Sequence, residues 1–161
     1  MSDTSLAAQT AAWQGAMKRT ASVCATYYAR RAPHWIGISS RLWAGKYEES
    51  PIPGQSLPEQ LMSSAKREVE LRGEFTLRLL GDLASRHLHL PKDQLLVDLT
   101  KLTAELVRDG CRDVENDIVR VGRFLYGMDG GVVAVAVREA ISRVTDHLLD
   151  VTSRPPEPNY F

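Results

Sequence analysis

Apolar residues recur along most of this chain in alternating steps of three and four, the repeat that puts side chains on one face of an α-helix. The clearest stretch runs from about Lys92 to Tyr126, through Leu95, Leu99, Leu102, Leu106, Val114, Ile118, Val121 and Leu125. Gly110 and Gly122 lower helix propensity within it. The stripe resumes in phase after Gly110, so the pattern predicts one long helix bent at that glycine. Pro91 suits its first turn, and Gly127, Gly130 and Gly131 suit its end. A second helix is expected from about Gly131 to Ser153, striped by Val133, Val137, Ala140, Val144, Leu148 and Val151, with Asp129 placed to cap it. The run Val132–Val137 has strand propensity. Its pattern nevertheless continues helically to Leu148, and a lone strand would lack a partner.

Upstream, Leu61, Ala65, Val69, Leu71, Phe75, Leu79, Leu80 and Leu83 predict a helix from Pro58 to about Leu88. Ser56 with Glu59 three residues later matches a capping box. The first helix is expected over Thr4 to Arg31, along Leu6, Trp13, Met17, Cys24 and Tyr28. Pro33 then starts a separate short helix to Tyr47 carrying Trp35, Ile38, Leu42 and Trp43. Prolines fall at 33, 51, 53, 58, 91, 155, 156 and 158, outside the long stripes, as the loss of a helical hydrogen bond at proline demands. The expected fold is therefore all-α: four long amphipathic helices plus one short helix in a bundle, most simply up-and-down. A globin-like crossing arrangement is the alternative. Residues 1–153 read as a single helical domain interrupted by an irregular Pro/Gly loop at 48–57, and 154–161 as an extended tail.

Composition narrows the function classes. The chain has 161 residues, within the roughly 100–200 of one domain. Lys plus Arg and Asp plus Glu each number 20, so the chain lacks the basic footprint of a duplex-DNA binder and no nucleic-acid partner is expected. No stretch approaches the ~18 apolar residues of a transmembrane helix, and the first 30 residues lack a signal-peptide core. Cys24 and Cys111 are far apart in sequence and read as free, buried thiols of a reducing compartment. A soluble, cytoplasmic protein is the expectation.

Candidate chemistry is sparse. The residues three before His34, His87, His89 and His147 are Arg31, Ala84, Arg86 and Val144, so no inward Glu-x-x-His pair of a di-iron bundle occurs, and no metal site is expected. Asp109, Asp113 and Asp117, spaced by four, read as a solvated helix face relieved by Arg108, Arg112 and Arg120. No nucleophile elbow, phosphate-binding glycine loop or dinucleotide fingerprint appears, which leans against an enzyme. The distinctive segment is aromatic and basic, with Arg30, Arg31, Trp35, Trp43 and Tyr47 as candidate partner-binding residues. Arg and Trp dominate binding hot spots. The same arginines also suit a helix C-terminus, and the tryptophans also suit a core.

Cys111-Arg112-Asp113 with Glu115, Val121, Tyr126-Gly127 and Asp129, followed by Val137-Arg138-Glu139, resembles the chromophore helix of phycobiliproteins. No residue separates the cysteine from the arginine here, which turns the thiol by about 100° relative to that family's pattern. The resemblance implies a globin-like fold binding a bilin or haem, with Cys111, Arg112, Asp113, Arg120 and Tyr126 around the cofactor. Read from the residues alone, Cys111 is a small core residue and Arg112-Asp113 a surface pair. The first expectation is a non-catalytic helical-bundle interaction or adaptor protein that binds a protein partner or forms a homo-oligomer through an apolar or aromatic helix surface. A tetrapyrrole binder is the alternative, and a peripheral lipid or granule coat protein a third reading.

Overall fold

The structure, a computed structural model, describes residues 3–44, 56–123 and 131–154. Helix α1 spans Asp3–Ala44, α2 Leu57–Arg86, α3 Lys92–Gly110, α4 Arg112–Asp117 and α5 Gly131–Ser153. A π-helical stretch, Ile118–Gly122, continues α4. The described residues hold no strand, so the fold is an all-α bundle and Val132–Val137 is helix.

Long-range contacts set the helix directions. Trp13 pairs with Asp98 and Trp35 with Asp117, so α1 runs the same way as α3 and α4. Tyr28 meets Thr76 and Arg31 meets Glu68, which makes α2 antiparallel to α1. Gly73 faces Ala140 and Gly81 faces His147, so α5 runs with α2. Direction therefore alternates along the chain. The two tryptophan contacts lie 22 residues, or about 33 Å, apart on α1. Helices crossing at the steep angle of a globin would separate over that length. The bundle is up-and-down.

Two elements differ from the sequence pattern. The break expected at Pro33 is absent, and α1 is one helix of 42 residues. The pyrrolidine deprives the Ala29 carbonyl of its usual donor. Beyond it, Trp35 and Ser39 continue the buried line of Trp13, Ala16, Thr20, Cys24 and Tyr28 in steps of three, four and seven. Burying them on the same partner outweighs one lost hydrogen bond. In α2 the buried face is Leu61, Ala65, Glu68, Val69, Arg72, Thr76, Leu80 and Leu83, whereas Leu71, Phe75 and Leu79 are only partly covered. Polar residues thus occupy part of the face that apolar counting assigned to their neighbours.

Other expectations hold. The capping box is formed, with Glu59 N–H donating to Ser56 Oγ at 3.2 Å and Glu59 Oε2 accepting from Ser56 N–H. The long helix after Pro91 is bent near Gly110, where α3 passes into α4. The ladder survives the bend through Cys111 N–H to Val107 O and Glu115 N–H to Cys111 O, each 3.1 Å. The cause is tertiary: the Tyr28 ring lies where a Gly110 side chain would go, and the Arg72 guanidinium takes the Gly110 carbonyl. Most of the loop at 48–57 and of the tail at 154–161, together with Gly127, Asp129 and Gly130, lies outside the described residues.

A Cβ on Gly110 would collide with the Tyr28 ring. Gly110→Ala is expected to lower unfolding stability by about 1–3 kcal/mol, the usual cost of overpacking. Denaturant titration of the variant checks this, and Gly37→Ala, which meets nothing within 4 Å, is the control expected to be neutral or slightly stabilising.

Candidate functional site

The densest collection of chemically capable side chains lies at mid-height in the bundle, between two apolar halves of the core. One half gathers Trp35, Leu61, Val69, Val114, Ile118 and Val133; the other gathers Trp13, Leu80, Leu83, Leu95, Leu99 and Leu148. Between them, Arg72 and Glu68 are 1% and 2% exposed. Charges this deep are tolerated only when paired and hydrogen-bonded. Glu68 accepts from Arg31 Nε at 2.9 Å and from Arg72 Nε at 3.0 Å. Arg72 forks onto Asp113 at 2.6 and 3.0 Å and also donates to the Gly110 carbonyl. Two cations face two carboxylates, so the layer is neutral.

A hydroxyl chain borders the ions. Tyr28 Oη bonds Thr76 Oγ1, and Thr76 donates to the Arg72 carbonyl at 2.9 Å. The Tyr28 ring stands 6.0 Å from the Arg72 guanidinium, within cation–π range. Tyr27, next along α1, stacks on Phe75 at 3.8 Å.

The electrostatics favour fixed charges. Burial alone would raise the Glu68 carboxyl, but hydrogen bonds from Arg31 and Arg72, with their charges, outweigh it and hold it below the ordinary range. Burial likewise works against the Arg72 cation, and Asp113 and Glu68 more than compensate. Burial pushes the Cys24 thiol up to about 11 and the Cys111 thiol up to about 12. Neither is a nucleophile near neutral pH, because the thiolate is the reactive form. Every buried side-chain nitrogen and oxygen among the described residues has a partner, and no cluster there of three or more His, Cys, Asp and Glu could hold a metal ion. What this layer does is hold α1, α2 and the α3–α4 bend together.

Two further polar latches tie α1 to its parallel neighbour. Trp13 Nε1 donates to Asp98 at 2.9 Å, and Trp35 Nε1 donates to Asp117 at 2.8 Å. Asp117 also accepts from Ser39 and from Arg120. Of the row expected to be a solvated face, only Asp109 lies mostly in water, paired with Arg112; Asp113 and Asp117 turn inward to Arg72 and Trp35. His87 rests against Trp13, ring centroids 5.0 Å apart, with its Nδ1 2.9 Å from the Leu83 carbonyl.

Of the residues singled out as partner-binding, Trp35 is fully buried, Arg31 is bound to Glu68, and Arg30 points to solvent. Neither arginine closes a helix, since α1 continues for more than three turns past them. Trp43 belongs to α1 with its side chain outside the described residues, and Tyr47 lies outside them altogether. Of those attached to the tetrapyrrole resemblance, Cys111 is buried and Asp113 is held by Arg72, whereas Arg112 and Arg120 are surface residues; Tyr126 lies outside the described residues. Arg112 lines an open groove to which Cys111 and Asp113 do not contribute. Arg72, Glu68 and Asp98 escaped notice in the sequence, and Tyr28 reads there only as a member of the stripe of the first helix. The available signal was the spacing of Arg72, three residues after Val69 and four before Thr76 on the inward face of α2.

Open grooves remain between the helices. One of about 540 Å³ separates α1 from α3 at Met17, Lys18, Lys101 and Leu102. Another, about 450 Å³, separates the α3–α4 bend from α5. No family model matches this chain, and no curated protein or solved structure matches it either.

Two measurements test the central layer. The Glu68 carboxyl is depressed on folding, so its stabilisation is present above the ordinary glutamate range of about 4.5 and is lost as pH falls through the lower folded value. Glu68→Gln is expected to lower stability at pH 7 by about 3–5 kcal/mol, the cost of stranding a buried partner, and to flatten the acid limb of the stability–pH curve. Both thiols are expected to resist alkylation at pH 8 in the native protein and to react together on unfolding in guanidinium. Fast labelling of either one under native conditions would contradict their burial.

Proposed function

We propose that this chain is a non-catalytic interaction protein of the helical-bundle type, and that it self-associates through the first turns of α1. The supporting observation is an uncharged, solvent-facing helix. From Thr4 to Met17 the sequence carries no charge, and six of the eight residues Ser5–Ala12 are exposed, Leu6 among them at 66%. Val97 and Leu149, also exposed, lie at the same end of the bundle, beside the cluster that holds Trp13. A surface meeting its own copy about a two-fold axis brings identical residues together, so freedom from charge favours that pairing. Alanines at 7, 8, 11 and 12 permit close helix approach.

The interior supports the same reading from another side, since its titratable groups are committed to one another. A tetrapyrrole attached through Cys111 would need that thiol at a cavity wall, whereas it is 0% exposed in the core. Two free, buried thiols support a reducing compartment, and a cytoplasmic location is part of the proposal. No helix among the described residues is long and apolar enough to cross a membrane.

Sedimentation equilibrium of the full chain across a wide concentration range is the deciding measurement. The parent is expected to show at least twice the chain mass, and Leu6→Glu with Ala11→Glu to weaken association by tenfold or more with helicity unchanged. A parent that stays monomeric throughout, or a variant that associates as well as the parent, removes the reading.

A further inference from the structure

We propose that the groove between the α3–α4 bend and α5 binds an acidic peptide segment of a partner protein, held by Arg108, Arg112 and Arg138. This inference is independent of self-association at the far end of α1. The groove encloses about 450 Å³, within the roughly 300–1,000 Å³ of ligand sites. Its lining carries three arginines and one carboxylate, Glu115, over a floor that includes Ala134 and Val137.

The arginines are placed for a bound anion. Arg108 and Arg112 are one turn apart across the bend, an arrangement of like charges that destabilises a helix slightly. Only Arg112 has a carboxylate partner, Asp109 at 3.0 Å, and that pair is about two-thirds exposed on both sides. Arg108 and Arg138 form no ion pair among the described residues, and they line the groove from different elements, α3 and α5. Their guanidinium groups can each take a carboxylate in a two-pronged contact. The α3–α4 bend matters here: it is pinned by Arg72 and Tyr28 from beneath, so the spacing of Arg108 and Arg112 is set by the buried layer.

Charge and apolarity together select a peptide over a nucleic acid. A polyphosphate backbone presents uniform negative charge, and Glu115 in the lining with Asp109 beside it opposes that. A peptide alternating acids with apolar residues can set carboxylates on the arginines and apolar side chains on Ala134 and Val137. It can also direct an uncharged stretch past Glu115.

The test is fluorescence anisotropy of a fluorescein-labelled peptide of alternating Glu and Leu, titrated with the full chain at low salt. A Gln-for-Glu peptide, inorganic phosphate as competitor and a single-stranded oligonucleotide are run beside it. The acidic peptide is expected to bind, the Gln peptide to bind at least tenfold more weakly, and added salt to weaken the acidic one. Arg108→Gln combined with Arg138→Gln is expected to weaken binding about tenfold, the sum of two exposed ion pairs. Both positions are exposed, so the circular dichroism spectrum and unfolding midpoint should stay unchanged. Equal binding of the Gln peptide, a double variant that binds like the parent, full displacement by phosphate, or tighter binding of the oligonucleotide would each overturn the proposal.

Discussion

The guanidinium of Arg72 must be neutralised where no water reaches it, and the arrangement of the bundle follows from that requirement. An unpaired charge at 1% exposure would cost several kcal/mol. Its partners come from every side: Glu68 one turn back on α2, Asp113 at the start of α4, and the Gly110 carbonyl at the end of α3. Glu68 in turn recruits Arg31 from α1. One side chain therefore fixes the relative height of three helices and the position of the bend. Apolar packing alone tolerates sliding by a turn far more readily.

The same requirement accounts for the two-part core. Apolar side chains gather above and below the ionic layer, and each half receives one tryptophan from α1. Those tryptophans are 22 residues apart, close to six helical turns, so both point inward. Each indole finds an aspartate on the parallel neighbour, which satisfies the polar N–H that burial would otherwise strand. α1 is thus fastened at three heights. Its continuity through Pro33 makes sense on these terms, because the upper tryptophan latch lies beyond the proline. On the other flank, α2 approaches α5 closely at Gly73, which lies against Ala140, and at Gly81, where the His147 ring takes the space of a side chain.

A core so fully engaged has its titratable groups committed to one another. The thiols are buried and held in their neutral form, and the interior carboxylates are held as ion-pair acceptors. Two surfaces differ from the ordinary mixed-charge exterior: the uncharged start of α1 and the arginine-lined groove beside the bend. They lie at different places on the bundle, so a protein that self-associates through one keeps the other free for a partner. The groove also borders the bend that Arg72 pins, which links the buried layer to the proposed peptide site.

The sequence by itself determined the all-α class, the span of α2 with its capping box, the span and inward face of α5 and the burial of both cysteines. These depend on local periodicity, cap chemistry and helix-breaking residues, all of which act within a few turns. Tertiary structure decided the rest. Pro33 reads locally as a stop, and only the burial of Trp35 and Ser39 against Asp117 shows why the helix continues. Arg72 and Glu68 read as surface charges, because a pattern of apolar residues assigns charges to water; their partners, Arg31 and Asp113, are about forty residues away along the chain. The row Asp109, Asp113 and Asp117 divides between solvent and interior for the same reason. A charge belongs inside only where another element brings its counter-charge to it, and that meeting is a property of the fold rather than of any single segment.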